Sequence, residues 1–183
     1  MFKFSKSLVA FGGLLLVSMF FVNLMPVGHS AVQDQKKSQL EGVWKVTEVM
    51  PPTSNPNEKA TSITSPQPGL LIFTKGYYSG MAVTANQPRT AAAPAKDPGN
   101  LTDAEKIARY EQWSPFIANA GTYEVKGSTL SLHAIVAKNP DGMTATAPPV
   151  TWELKLEGPN AFWLIPPADR ATTSPRVKLT RVE

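Results

Sequence analysis

The sequence predicts an all-β fold, a small closed barrel of eight antiparallel strands. Three observations carry this. Short apolar or alternating runs, about eight of them, follow one another from Gly42 to the C-terminus with turn residues between. Most are joined as sequential hairpins, and eight strands are enough to close a sheet on itself. The two ends of the pattern also match. Leu40-Glu41-Gly42-Val43-Trp44 enters the first strand, and Arg176 to Glu183 forms the last. Closure sets those strands side by side, so Trp44 and Arg181 meet at the barrel floor. A guanidinium over an indole gains about 0.5–2 kcal/mol there. Parity agrees: Val177, Leu179 and Arg181 share a face. A barrel interior explains an arginine among apolar neighbours, and an open sheet does not.

Residues 1–31 read as a signal peptide. Lys3 and Lys6 give a positive start, and Leu8 to Leu24 is apolar apart from Gly12, Gly13, Ser18 and Asn23. Pro26, Gly28, Ser30 and Ala31 supply the breaker and small residues that precede cleavage. The competing reading is an uncleaved anchor, since the run approaches bilayer length. Cleavage implies an exported protein, periplasmic or secreted, with no stable membrane insertion afterwards. The chain has no cysteine, which excludes a lipoprotein anchor, disulfides and thiolate metal sites. Cleavage leaves about 150 residues, one domain by size. It also removes two lysines, lowering the net charge from +4 to +2. No basic run or aromatic–basic stripe is present, so nucleic-acid binding is rejected.

Residues 32–39 read as a polar, mobile lead-in, and 40–183 as the barrel domain. The first strand runs from Gly42 to Met50, and the Pro- and Ser/Thr-rich 51–68 stretch is irregular. Leu70–Thr74 and Tyr77–Thr84 form a hairpin about Lys75-Gly76, with the glycine expected at positive φ. An insertion from Ala85 to Ala120 separates the third and fourth strands. Its second half reads as a helix over 102–118. Thr102-Asp103-Ala104-Glu105 fits a capping box, and Ile107, Tyr110, Ser114 and Ile117 recur near helical spacing. Pro115 limits or kinks that helix and Gly121 stops it. Thr122–Val125 and Thr129–Ala137 pair about Lys126-Gly127-Ser128. In the latter, Leu130, Leu132, Ala134 and Val136 form the apolar face and His133 points away from it. The sixth strand alternates cleanly: Val150, Trp152, Leu154 and Leu156 on one face, Thr151, Glu153, Lys155 and Glu157 on the other. Ala161–Ile165 and Arg176–Val182 complete the set.

Four segments together resemble the bacterial lipocalin-like domain family. They are Leu40-Glu41-Gly42-Val43-Trp44; Gly69 to Thr74 with Gly76-Tyr77-Tyr78-Ser79; Gly121-Thr122-Tyr123-Glu124-Val125; and Leu179 to Glu183. The resemblance covers Leu40 to Glu183. It implies a calycin-type up-and-down barrel with Trp44 and Arg181 in the floor position. It supplies no catalytic set.

The residues themselves name no reaction. No Gly-x-Ser-x-Gly occurs, and the carboxylates are scattered without a dyad or metal cluster. No catalytic residue, metal site or cofactor is assigned. The strand aromatics Phe73, Tyr78, Tyr123, Trp152 and Trp163 suit the lining of an apolar pocket. Tyr110, Trp113 and Phe116 on the helix either line its entrance or seal the barrel. The reading that follows is an exported barrel binding a small hydrophobic or amphipathic ligand. Two alternatives stay open. One is a cyclase or isomerase using an inward acid or base such as Tyr123 or Glu48. The other is a non-catalytic envelope interaction protein with a filled barrel. Ligand identity and oligomeric state are left open.

Overall fold

A computed structural model describes residues 36–53 and 60–183. The predicted signal peptide lies outside the described residues. Eight strands close into one barrel: β1 (Gly42–Met50), β2 (Gly69–Phe73), β3 (Tyr77–Val83), β4 (Phe116–Lys126), β5 (Thr129–Ala137), β6 (Val150–Leu156), β7 (Ala161–Ile165) and β8 (Arg176–Arg181). Each pairs antiparallel with its sequence neighbours, and β1 pairs with β8, so no edge is left open. Helix α1 (Asp103–Trp113) lies in the connection between β3 and β4. The Thr102 side chain accepts from the Glu105 amide and the Glu105 carboxylate accepts from the Thr102 amide, completing the expected capping box. Among the described residues, no helix is long and apolar enough to cross a membrane.

The helix ends at Trp113, short of the expected 118, and β4 starts at Phe116. Pro115 sits at the change. It has no amide hydrogen to carry helix onward, and beyond it Phe116 to Ala120 pair with Val83 to Ser79. Ile117 therefore belongs to a two-residue alternation with Asn119, Gly121 and Tyr123, and its helical spacing is coincidental. Gly121 is not a helix stop either. It sits in β4, where a Cβ would collide with the His133 carbonyl of β5. The glycine lets the two strands approach at a bulge. Gly76 does not take positive φ, whereas Gly127 and Gly158 do, at 61° and 73°.

Two bulges set which side chains face inward. In β1 the register skips Thr47, turning Val49 inward and Glu48 outward. In β5 it skips Ile135, between Ala134 and Val136. Val136, expected on the apolar face, is thus turned outward and 56% exposed. His133 faces outward as expected, opposite Thr122.

The tight hairpins β2–β3, β4–β5 and β6–β7 gather at one end. The described parts of the longer connections, 51–53, 60–68, 84–115, 138–149 and 166–175, gather at the other. The solid core fills the hairpin end: Trp44, Phe73, Tyr123, Leu130, Phe162 and Leu179 are all at most 2% exposed.

Substituting Gly121→Ala should lower stability by roughly 1–3 kcal/mol or more, because neither the β5 carbonyl nor the bulge can retreat cheaply. A Cβ at Gly76 meets nothing within 4 Å, so Gly76→Ala should be close to neutral. Urea unfolding midpoints of the two variants check this.

Candidate functional site

The barrel divides into a sealed floor and an open hollow. At the floor Trp44 and Arg181 are register partners, with the guanidinium carbon 4.2 Å from the indole centroid. Arg181 Nη1 donates to the Glu41 carbonyl and Nη2 to the Gln39 carbonyl, each at 2.6 Å. Its Nε donates to the Pro159 carbonyl at 3.2 Å. The Trp44 indole N–H donates to the Leu40 carbonyl at 2.6 Å. Residues 36–40, read from sequence as the end of a mobile lead-in and the start of the domain, form a helical turn held here. Lys36 Nζ donates to the Gly127 carbonyl, Lys37 lies over the Tyr123 ring, and Leu40 is fully buried. Gly42, at φ 131°, leaves room that a side chain would take from Arg181 and the Glu183 carbonyl.

Edge-to-face contacts extend the floor inward. Trp44 meets Phe162 at 4.6 Å, and Phe73 meets Tyr123 at 5.0 Å and Phe162 at 6.5 Å. The Tyr123 hydroxyl donates to the Thr74 carbonyl at 2.9 Å. Burial, with the Glu41 carboxylate as a smaller cause, pushes the Tyr123 phenol up to about 12.

Above these rings lies a cavity of about 1240 Å³, open toward the long connections. Its strand walls are apolar, with Val46, Leu71, Leu132, Leu164, Val177 and Leu179 among them. Stretches 63–67, 84–86 and 139–148 contribute to its rim.

Of the five aromatics expected to line a pocket, Tyr78 and Trp152 do. Phe73 and Tyr123 belong to the packed floor and do not reach the cavity. Trp163 is on the outer face, because the inward parity of β7 belongs to Phe162 and Leu164. Its indole N–H donates to Glu157 Oε1 at 3.0 Å, and Lys178 lies over the ring. Lys178 also bonds Glu157 at 2.7 Å, which holds that carboxyl below its ordinary range. Sequence reading missed Asn119 and Ile117. Both face inward on β4, Ile117 at a position assigned to the helix and Asn119 just beyond it in the insertion, and the alternation running down to Val125 is the available signal.

Helix α1 does not plug the barrel. It buries no residue, and Tyr110 and Trp113 are 73% and 56% exposed. Phe116 lies at the cavity rim, packed edge-on against Trp113 and under Arg89. Lys138 ties this segment to the end of β5. Its ammonium donates to the carbonyls of Trp113, Ser114 and Phe116.

Neither group named for acid–base work faces the hollow. Glu48 points outward and accepts from Ser62, and the Tyr123 hydroxyl is engaged in the floor. The cavity lining includes no Asp or Glu. Among the described residues no group of three or more His, Cys, Asp or Glu is placed to hold a metal.

No family model matches the chain, and no curated protein matches it either.

Arg181→Leu should cost about 2–4 kcal/mol, from the lost cation–π contact and from carbonyls left without their charged donor. Chemical denaturation followed by tryptophan emission measures it. The Tyr123 phenol ionises near 10 when unfolded and only near 12 when folded. Its contribution to stability is therefore complete below pH 10 and is lost as pH rises from there toward 12. Tyr123→Phe should start less stable by roughly 1 kcal/mol and fall less steeply over that window, read from urea midpoints across an alkaline pH series.

Proposed function

We propose that the protein is an exported, lipocalin-like carrier that holds one small hydrophobic or amphipathic molecule inside its barrel. One observation carries the reading. Ile117 and Val150 face into the barrel, opposite Ala82 and Leu132, yet they are 51% and 47% exposed. Large apolar side chains turned inward and left bare are what a filled core avoids and a binding cavity presents. The cavity, somewhat above the usual range of roughly 300–1,000 Å³ for small-molecule sites, supports a ligand with a long or bulky apolar body. Burial there needs no bond chemistry: each methylene removed from water contributes about 0.8 kcal/mol. The signal-peptide pattern of residues 1–31 supports export, and the Leu40–Glu183 resemblance supports the carrier assignment.

An apolar dye whose emission rises on desolvation should bind the protein in one saturable step and quench or receive energy from Trp152. Trp152→Ala should weaken that binding about tenfold, the effect of losing roughly 1.4 kcal/mol of contact. Trp163→Ala, on the outer face, should leave it unchanged. Equal effects of the two substitutions, or no saturable binding, would overturn the reading.

A further inference from the structure

The cavity is apolar but not featureless. Among the inward side chains of the strands that line it, only Tyr78, Asn119 and Trp152 carry a polar atom. None of the three has a hydrogen-bond partner among the described residues. The Tyr78 ring is buried, while its hydroxyl is not sealed away unpaired. Tyr78 pairs with Gly121, and Gly80 with Asn119. The tyrosine and the asparagine are therefore diagonal neighbours on β3 and β4, with a glycine beside each. The bare Gly80 matters here: the Asn119 Oδ1 lies 4.0 Å from where a Cβ on Gly80 would stand. The amide thus lies along the wall of the hollow, above backbone that carries no side chain of its own.

Charge is arranged differently. The lining holds no carboxylate. Its histidine, His133, turns its side chain outward. Its lysine, Lys138, spends its ammonium on three carbonyls of the α1–β4 junction, and an ammonium has three donors to give. Outside the lining, Arg170 is engaged over the Trp152 ring at 5.1 Å and by donation from Nη2 to the Thr151 carbonyl. No charged side chain of the lining itself is free to neutralise a carboxylate or an ammonium brought in with a ligand. A buried unpaired charge is strongly disfavoured, whereas a buried amide or hydroxyl that gains a partner recovers its desolvation cost.

We infer that the cavity selects a neutral amphiphile, with a hydroxyl, carbonyl or carboxamide head hydrogen-bonded by Tyr78 and Asn119 and an apolar body against Trp152 and Ile117. The inference rests on the carrier reading and narrows it. An amide both donates and accepts, and a phenol does the same, so the pair suits a head of either sense. Burial raises the Tyr78 phenol above its ordinary range, which keeps it a donor at any physiological pH.

The test is displacement of the bound dye from the full chain, at pH 7, by long-chain compounds of one chain length. Their heads are an alcohol, a primary amide, a carboxylate and a quaternary ammonium. The alcohol and amide should displace at concentrations at least tenfold lower than either ion. Tyr78→Phe and Asn119→Leu should each erode that advantage by threefold or more, read as the ratio of displacing concentrations within each variant so that any change in dye affinity cancels. Asn119→Ala repeats the comparison should the leucine disturb the wall. Displacement by the carboxylate or ammonium as readily as by the alcohol would overturn the inference and leave the carrier reading standing. So would an unchanged ranking in all three variants. Failure of the dye to bind at all would overturn both.

Discussion

The contact between Arg181 and Trp44 is the constraint on which the rest of this barrel depends. Closing a sheet brings its first and last strands together, and something must hold that seam where β1 begins and β8 ends. Here the guanidinium stacks on the indole and reaches the carbonyls of Gln39, Glu41 and Pro159. Those carbonyls come from the segment before β1 and the turn before β7, so one side chain ties three stretches of chain. Gly42 is required because the space beside its α-carbon belongs to Arg181 and the terminal carbonyl. Arginine suits this role better than lysine, since its planar fork serves several acceptors while one face stays on the ring.

With one end sealed, the other can stay open. Trp44, Phe162, Phe73 and Tyr123 use their bulk where the strands end in tight turns. Farther up, small residues face larger ones across β3 and β4, with Gly121 opposite Tyr78, Gly80 opposite Asn119 and Ala82 opposite Ile117. The small member of each pair leaves room for the hollow. The bulges at Thr47 and Ile135 put Val49 and Ala137, in place of Glu48 and Val136, on the inner face. A strictly regular strand would have put Glu48 inside.

The strand count, the seam and most strand boundaries were legible from period-two patterning and turn residues, because a sheet with one dry face writes its parity into the chain. What was not legible came from interactions between distant segments. Ile107, Tyr110, Ser114 and Ile117 matched a helix, but the pairing of Phe116 to Ala120 with β3 outweighed local spacing. Trp163 matches the pocket aromatics in size, although the parity of Phe162 and Leu164 places it outside. The positions of the bulges depend on the neighbouring strand and left no mark in β1 or β5 alone. Phe73 and Tyr123 were correctly inward, yet inward has two meanings in a barrel with a floor. Only the height along the strand separates packing from lining.

The same height argument explains why the functional residues are few and easily overlooked. A side chain in the floor is fixed by every neighbour and must be large. One in the hollow has fewer neighbours and is free to vary in size and polarity without cost to the seam. Asn119 shows this freedom. An asparagine is a poor strand former and would be expensive in the packed floor without a partner. Beside Gly80 it meets no such penalty, because its amide faces open space. A polar residue without a partner at an inward position of a closed barrel is thus tolerated by the fold only where the barrel is hollow. Its presence there is better explained by what enters the hollow than by what holds the barrel together.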